Sequence, residues 1–533
     1  MPSRTASSNR QAATARARNL ATTVGCGVLL LLSACSRTTS PSPSASLAAS
    51  PSAGIPSQPA AVEVPFPLEA SIPELQAAMD SGALTAVQLV DFYLARIAAY
   101  DDAGPTLNAF ITINPNARDE AAALDAERAT AGPRGPLHGI PVVLKDNIGT
   151  ADMATTGGSL ALAGLIPTED AFQVRKLREA GAIILGKTNM YEFAQGFTSV
   201  SSMGGQTLNP YDLTRDPGGS SGGSAVAVNA NFAVAGWGTD SCGSVRFPAA
   251  HNDIYGLRPT NGLSSRTGLI PLSTTLDTMG PMTRTVMDMA LVLDATVGVD
   301  PADPTTVPVK GSFVDAVDPN GLAGRRVGVV KFTLQADVDW LVEMAISDME
   351  ANGVEFIEVT LPFASDMFRP FDEFGVALDA YLAGEPGSPV HSINELYAFY
   401  DEHPDLDYAD LRSSGQILDL DNEVYRAAIA GRAVFRDAVV ALMDENDLDA
   451  ILMPQATRTA PMIGEYPSPF ACSVAPYGGL PALVIPTGFT PDGFPIGVDL
   501  MGRPFDESTL IAMAAGWEAH TSHRMLPPLT PPL

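Results

Sequence analysis

The chain has 533 residues, 46% of them hydrophobic, and carries a formal net charge of −29 at pH 7. This length and hydrophobic fraction are enough for one large α/β domain or for two to four smaller domains. The acidic balance argues against nucleic acid and anionic lipid as partners, because binding to phosphate groups needs clustered lysine and arginine.

Residues 1–34 are predicted to be the signal peptide of a bacterial lipoprotein. Arginines precede an apolar stretch at 20–32, which is too short to cross a bilayer comfortably but suits the apolar part of a signal peptide. The following Ser33-Ala34-Cys35 resembles the end of a lipobox, in which Cys35 is lipidated after cleavage. An ordinary secretory signal, cut at small residues, is the alternative. The sequence therefore predicts an exported protein of the bacterial cell envelope, attached to the membrane through the lipid on Cys35 only.

Residues 35–62 are rich in Ser, Pro and Ala, and are predicted to form a disordered tether because they cannot bury a core. Residues 63–526 are predicted to form the folded domain, and a proline-rich tail follows at 527–533. Two further cysteines, Cys242 and Cys472, would remain in an exported protein. Whether they form a disulfide stays open, and the lack of a C-x-x-C spacing argues against a structural zinc site.

Helical patterns and short apolar runs alternate along the folded part. Ser71 with Glu74, and Thr85 with Gln88, have capping-box spacing, which predicts two helix starts. Residues 117–130 predict an exposed helix rich in Ala and acidic side chains. Short apolar runs at 140–144, 182–185, 327–330, 354–359 and 450–453 predict strands, with a βαβ unit at 327–359 and a hairpin with strands at 483–485 and 496–500. These elements predict an α/β fold with a mixed sheet.

Two short motifs match well-known patterns without their structural context. Gly181 to Thr188 matches the P-loop pattern, but its middle residues, Ala-Ile-Ile-Leu, favour a buried strand over a phosphate-binding loop. Residues 218–222 match the G-x-S-x-G elbow of α/β-hydrolases, in which Ser220 would be the nucleophile. That elbow needs a strand directly before it, whereas a polar, proline-broken loop precedes it here. His138, which lies before a predicted strand, is interpreted as structural.

Two serines and a lysine in or near glycine-rich segments are the candidate catalytic residues of this chain. Lys145 ends the apolar run at 140–145, Ser220 lies in a Gly/Ser loop at 218–224, and Ser244 lies in a turn at 238–246. A serine hydroxyl needs a base to become a nucleophile, and a lysine serves as that base when burial keeps it neutral. Glycine-rich turns present backbone N–H groups to a developing oxyanion. The pattern predicts an acyl-transfer site without histidine.

These three segments resemble the amidase signature family. Further matching segments lie at 256–260, 278–282, 479–482 and 502–507, so that the resemblance covers about residues 71–518. It implies the α/β amidase signature fold, a large mixed central β-sheet covered by helices on both faces. It also implies that Ser244 is the nucleophile, that Ser220 is the bridging serine, whose peptide bond is cis in the family, and that Lys145 is the base. The backbone N–H groups of Ser241, Cys242, Gly243 and Ser244 are expected to form the oxyanion hole.

Supporting roles are expected for residues beside the triad. Asp240 and Arg246 flank the nucleophile and are expected to pair and brace its turn, and Ser221 is expected to hydrogen-bond within the proton relay. Lys187 is a rival base, although it falls in a family segment whose lysine is not catalytic. Cys242 departs from the family's usual Gly-Gly-Ser, and a positive φ at this residue would be strained.

The resemblance implies hydrolysis of a linear carboxamide to a carboxylic acid and ammonia or an amine through a serine acyl-enzyme, with no metal and no organic cofactor. Residues 262–271 resemble peptide-amidase-like members, and residues 303–432 resemble the variable segment that shapes the pocket. A small-molecule or peptide amide is therefore the expected partner, and nucleic acid is not. Two other functions stay open: a glutamine amidase like the A subunit of glutamyl-tRNA amidotransferase, and a non-catalytic substrate-binding lipoprotein.

Overall fold

The computed structural model describes residues 66, 68–362, 370–408, 411, 419–465, 467 and 474–533. The predicted signal peptide, the tether and Cys472 lie outside the described residues. The described residues belong to one compact unit, Pro59–Leu533. Within these ranges, no helix has both the length and the apolar character to cross a bilayer, and no cluster of His, Cys, Asp or Glu is arranged to hold a metal ion.

Helices begin where the sequence supplies caps. Both predicted capping boxes are formed, at Ser71 with Glu74 and at Thr85 with Gln88. In the described part of the chain the α-helices are α1 (Ile72–Asp80), α2 (Ala86–Tyr100), α3 (Ala117–Ala131), α4 (Phe172–Glu179), α5 (Gly222–Asn229), α6 (Arg246–Ala250), α7 (Val286–Thr296), α8 (Ala336–Ala351), α9 (Phe374–Ala383), α10 (Ile393–Glu402), α11 (Glu423–Glu445), α12 (Val474–Gly478) and α13 (Glu507–His520).

A mixed sheet forms the centre of the molecule. Its strands are β1 (Phe110–Ile113), β2 (Pro141–Lys145), β3 (Ile183–Thr188), β6 (Ala235–Thr239), β7 (Tyr255–Arg258), β8 (Met279–Thr283), β9 (Arg326–Val329), β10 (Glu355–Glu358), β11 (Ala450–Pro454), β12 (Ala482–Phe489) and β13 (Pro495–Met501). They lie in the order β1-β3-β2-β6-β8-β7-β12-β13-β11-β9-β10. Two short strands, β4 (Val200–Ser201) and β5 (Gly205–Gln206), pair separately.

The strand pairings confirm the predicted topology. Strands β9 and β10 are parallel with α8 between them, as expected for a βαβ unit, and β12 and β13 form the predicted antiparallel hairpin. The P-loop-like run is the buried strand β3, as its apolar residues predicted. Because every residue of β2, β3, β6 and β8 is buried, the middle of the sheet is covered on both faces.

The proline-rich end of the chain is part of the folded body. Arg96, on α2, is fully buried and donates to the carbonyl oxygens of Thr530 and Pro531 at 2.9 and 3.0 Å. The same guanidinium donates to the carbonyls of Ala230 and Asn231. One buried cation therefore joins the last residues to α2 and to the turn that follows α5.

Candidate active site

The carboxyl ends of two parallel strands bring Lys145 to the centre of the site. Strand β2 pairs with β6, so Lys145 at the end of β2 lies beside Thr239 at the end of β6. The Lys145 side chain is fully buried, and its Nζ lies 2.6 Å from Ser220 Oγ and 2.8 Å from Thr239 Oγ1. The structure therefore joins two of the three predicted triad residues directly.

Burial brings the pKa of Lys145 into the neutral range. Loss of solvation lowers the pKa of its ammonium group to about 7, although the carboxylates of Asp277 and Asp240 act in the opposite direction. A substantial fraction of this amine is therefore unprotonated at pH 7, which a general base requires.

The loop that carries Ser220 is shaped by close backbone contacts. Gly218 has φ +82°, and a Cβ at this position would lie 2.8 Å from Pro248 Cα, so only glycine fits. The Gly219–Ser220 peptide bond is cis. The Ser220 carbonyl accepts a hydrogen bond from the Tyr191 N–H at 3.0 Å. Helix α5 starts at Gly222 and holds the end of this loop against the sheet.

The turn that carries Ser244 lies directly against this loop. The Ser221 N–H donates to the Ser244 carbonyl at 3.2 Å, and α6 begins two residues after Ser244. Only 3% of Ser244 is exposed. Among the described residues, no hydrogen bond joins Ser220 Oγ to Ser244 Oγ, and Ser244 is linked through backbone to Ser221, the residue after Ser220.

The predicted oxyanion hole needs one correction. The Gly243 N–H donates to Asp240 Oδ1 at 2.7 Å, because the Asp240 side chain folds back under the turn. The Gly243 N–H is therefore already bonded to Asp240. The Ser241, Cys242 and Ser244 N–H groups remain as predicted donors to an oxyanion. The left-handed φ of the turn, +100°, falls on Gly243 and not on Cys242, so strain at Cys242 does not arise. Cys242 is disulfide-bonded.

A buried ion-pair network braces the turn. Arg246 Nε lies 3.0 Å from Asp240 Oδ2, and Arg246 Nη1 pairs with Asp499. Arg258 Nη1 lies 3.2 Å from the other Asp240 oxygen. Burial alone raises the pKa of Asp240, but the charges of Arg246 and Arg258 outweigh it and hold the pKa at about 2. Asp240 is therefore a permanent anion, and the expected pairing with Arg246 is present.

The Ser221 hydroxyl has different hydrogen-bond partners from those expected. Its Oγ lies 3.4 Å from the Thr239 carbonyl and accepts from the Thr239 N–H at 3.3 Å. Ser221 thus joins the start of α5 to the end of β6 through backbone groups. A hydrogen bond to Lys145, Ser220 or Ser244 through its hydroxyl is absent among the described contacts.

The rival base Lys187 has its own partners. Its Nζ donates to Thr155 Oγ1 at 2.6 Å and lies 3.8 Å from Asp146 Oδ1. Burial lowers its pKa to about 8, against the nearby Asp146 carboxylate. No hydrogen bond in the described part of the chain links Lys187 to Ser220 or Ser244.

The structure does not support the elbow of an α/β-hydrolase. A loop, and not a strand, precedes Gly218, and no histidine ring among the described residues hydrogen-bonds to Ser220 or Ser244. His138 has the structural role expected of it: it accepts from the Arg134 N–H at 3.2 Å, and its Nε2 lies 2.9 Å from the Leu124 carbonyl oxygen.

Three contact residues of the site were missed by sequence reasoning. Thr239 Oγ1 accepts from Lys145 and, at 3.1 Å, from Asn147 Nδ2. Asp277 accepts from the Ser241 hydroxyl. Asn147 and Thr239 are polar residues at or just beyond the carboxyl ends of buried strands, and this position is a sequence signal that was not used. Asp277 precedes its strand and has no such signal.

Comparisons with known proteins identify the family of this chain. The Amidase family model matches residues 88–511. A probable amidase of Arabidopsis thaliana is 34% identical over 86% of this chain and 91% of its own length. The A subunit of the glutamyl-tRNA(Gln) amidotransferase of Roseiflexus sp. is 35% identical over 86% of this chain and 98% of its own length.

A solved structure adds a match in three dimensions. The native peptide amidase from Stenotrophomonas maltophilia is 38% identical and has a TM-score of 0.81, with 86% of this chain and 99% of that chain covered. The sheet order and the positions of the helices thus belong to a shared fold. The chain belongs to the amidase family, and it is an enzyme that hydrolyses amides.

Proposed function

We propose that Ser244 is the nucleophile of this amidase, that Ser220 transfers its proton and that Lys145 is the base. The observation that carries this assignment is the 2.6 Å contact between Lys145 Nζ and Ser220 Oγ at a fully buried lysine. A neutral amine has one lone pair and two N–H groups. When one N–H donates to Thr239 Oγ1, the lone pair is available for the Ser220 proton.

The reaction then proceeds by two proton transfers in each direction. Ser244 Oγ attacks the amide carbon, its proton passes to Ser220 Oγ, and the Ser220 proton passes to Lys145 Nζ. The carbonyl electron pair moves to oxygen, where the remaining backbone N–H groups of the turn stabilise the charge. When the C–N bond breaks, the proton returns through Ser220 to the leaving nitrogen, and water then releases the acid from the acyl-enzyme.

The Ser220–Ser244 step requires a hydrogen bond that the described contacts lack. Catalytic hydrogen bonds are often long without substrate and tighten in the Michaelis complex. The Ser221 N–H bond to the Ser244 carbonyl already holds the two backbones together. We therefore expect the hydrogen bond between the two hydroxyls to form when substrate binds.

We expect kcat/KM to rise with pH and to level off above about pH 8. The base must be unprotonated, and the pKa of Lys145 is about 7, so activity falls tenfold for each unit below this value. The measurement is kcat/KM for a neutral amide between pH 5 and 9. A profile that is flat down to pH 5 contradicts a lysine base.

The substrate class we propose is an amide at the end of a peptide. The solved structure with a TM-score of 0.81 is a peptide amidase, whereas the A subunit of a glutamyl-tRNA(Gln) amidotransferase from Thermotoga maritima has a TM-score of 0.68 at 29% identity. A nearby cavity of about 480 Å³ has a volume that suits a short peptide, although none of Lys145, Ser220 and Ser244 lines it. Asp277, the partner of Ser241, lines it on one side, and Ala377, Ala380 and Tyr381 of the variable segment line it on another.

The substrate proposal is tested with an N-acetylated dipeptide amide, propionamide and glutamine as substrates. We expect kcat/KM for the peptide amide to exceed the other two by at least about 10²-fold, since only the peptide fills the cavity. Ala380→Trp is expected to raise KM for the peptide amide and to leave propionamide hydrolysis unchanged. Preference for glutamine, or an equal effect of Ala380→Trp on both amides, contradicts the proposal.

We also propose that the protein is an exported lipoprotein attached through Cys35; the support is the Leu32-Ser33-Ala34-Cys35 sequence after an apolar stretch. Cys35→Ala is expected to move the protein from the detergent phase to the aqueous phase on phase partitioning. Cys26→Ala, a change within the apolar stretch, is the control and should leave partitioning unchanged. Identical partitioning of wild type and Cys35→Ala contradicts lipidation.

A further inference from the structure

A buried carboxylate outside the predicted site contacts the turn that carries the nucleophile. Asp277 is 2% exposed, and its Oδ1 accepts a hydrogen bond from the Ser241 hydroxyl. Ser241 is itself 2% exposed and belongs to the predicted oxyanion set. Both groups are thus withdrawn from water, so the contact between them is an internal one.

Two further contacts hold the backbone on either side of Asp240. The Asp240 N–H donates to the Thr278 carbonyl at 2.9 Å. Arg258 joins the two segments: Nη1 donates to the Asp240 carbonyl and Nη2 to the Leu276 carbonyl at 2.9 Å. Because C=O and N–H of a trans peptide point in opposite directions, fixing the Asp240 carbonyl also fixes the direction of the Ser241 N–H.

Asp277 is itself held firmly. Its Oδ2 accepts from the N–H groups of Leu272 and Ser273 at 2.8 and 2.9 Å. Glu373, which is 1% exposed and lies in the variable segment, then accepts from Ser273 Oγ at 2.5 Å and from the Thr275 N–H at 2.9 Å. The carboxylate that holds Ser241 is therefore fixed by the loop at 272–275, and Glu373 of the variable segment holds this loop in turn.

We propose that Asp277 is a positioning residue of the amidase reaction: through the Ser241 hydroxyl it holds the backbone of the turn in the orientation that binds the oxyanion. This inference rests on the proposed function of Ser244. Oxyanion donors act only when they are aligned before the reaction, within about 0.5 Å, so a mobile Ser241 loses transition-state binding while substrate binding remains.

The test compares Ser241→Ala, Ser241→Thr, Asp277→Asn and the double variant Ser241→Ala/Asp277→Asn. We expect Ser241→Ala and Asp277→Asn each to lower kcat about 10–100-fold, somewhat less than the about 10²–10³-fold typical of a lost oxyanion donor, with KM within about threefold of wild type. Ser241→Thr keeps the hydroxyl and should retain most activity. Because both single changes break the same contact, the one between Ser241 and Asp277, the double variant should be no slower than the slower single variant.

A peptide aldehyde supplies a second readout. Its adduct with Ser244 places an oxyanion in the turn, so the inhibition constant should rise by the same factor as kcat/KM falls. Asp300→Asn is the matched control, because Asp300 is an equally buried carboxylate that accepts from Ser265 and Thr267 outside this turn. Its kcat should stay near wild type.

The outcomes separate this inference from the proposed function. Retained turnover in Ser244→Ala removes the proposed nucleophile. If Ser244→Ala is inactive, two results overturn only the role of Asp277. One is that the effects of Ser241→Ala and Asp277→Asn on kcat multiply in the double variant. The other is that these two single variants change KM alone. If Asp277→Asn fails to fold, the difference between Ser241→Ala and Ser241→Thr decides, and equal activity of these two contradicts the proposal.

Discussion

Replacing Ser244 by alanine is expected to lower kcat for amide hydrolysis by about 10⁶-fold, as in other serine hydrolases that lose their nucleophile. The change removes the atom that would form the acyl-enzyme, and the oxyanion donors and substrate binding retain only about 10³–10⁴-fold acceleration over the uncatalysed reaction. Folding should be unaffected, because the Ser244 carbonyl, and not its hydroxyl, bonds to Ser221. Single-turnover hydrolysis and thermal unfolding measure the two effects separately.

Ser265→Ala is the control for this variant. Ser265 is a fully buried serine whose hydroxyl donates to Asp300 Oδ2 at 2.6 Å, away from Lys145 and Ser220. Its loss should cost about 1 kcal/mol of stability or somewhat more and leave kcat near wild type. If Ser244→Ala keeps more than a tenth of the wild-type kcat, Ser244 is not the nucleophile.

Replacing Lys145 by methionine is the second large effect, and we expect kcat to fall by about 10⁴-fold. The stability effect should depend on pH. Burial lowers the pKa of Lys145 from 10.5 to about 7, so between these values the unfolded chain binds a proton that the folded chain has released. The free energy of unfolding of the wild type therefore rises with pH in this window. Lys145→Met removes the Lys145 share of this rise and keeps the share of Lys187, whose pKa burial lowers to about 8.

Lys187→Met is the matched control, because Lys187 is an equally buried lysine on the neighbouring strand β3. It should be less stable, since Asp146 loses its nearby cation, but its kcat per folded molecule should stay within about tenfold of wild type. An active Lys145→Met together with an inactive Lys187→Met would assign the base to Lys187. Unfolding in urea at pH 7 and pH 10 measures the stability of each variant.

Local signals were enough for the fold and for the elements that carry the site. The capping boxes at Ser71 and Thr85 formed because both partners of each box are close in sequence. The run that ends at Lys145 formed a strand because it is apolar throughout and bounded by turn residues. The sequence order of strands also predicted a βαβ unit at 327–359, which the structure has at 326–358, since a helix between two strands favours parallel pairing.

Contacts between distant segments could not be predicted in the same way. The hydrogen bond from the Gly243 N–H to Asp240 depends on the Asp240 side-chain rotamer. The hydrogen bond between Ser221 and Thr239 depends on how α5 packs on β6. The contact between Ser241 and Asp277 joins residues 36 positions apart, across a turn whose shape is set by Glu373 from a third segment. Such contacts require the tertiary structure, because no periodicity or motif places these side chains together.

Covalent labelling with a fluorophosphonate tests the identity of the nucleophile most directly. The account predicts one phosphonyl group per chain, which fragmentation of the tryptic peptide at 216–246 assigns to Ser244 and not to Ser220, no labelling of Ser244→Ala, and slow labelling of Lys145→Met. A label on Ser220 would indicate the elbow of an α/β-hydrolase. A chain that gains no mass, although it is folded and hydrolyses amides, would contradict a serine nucleophile at this site.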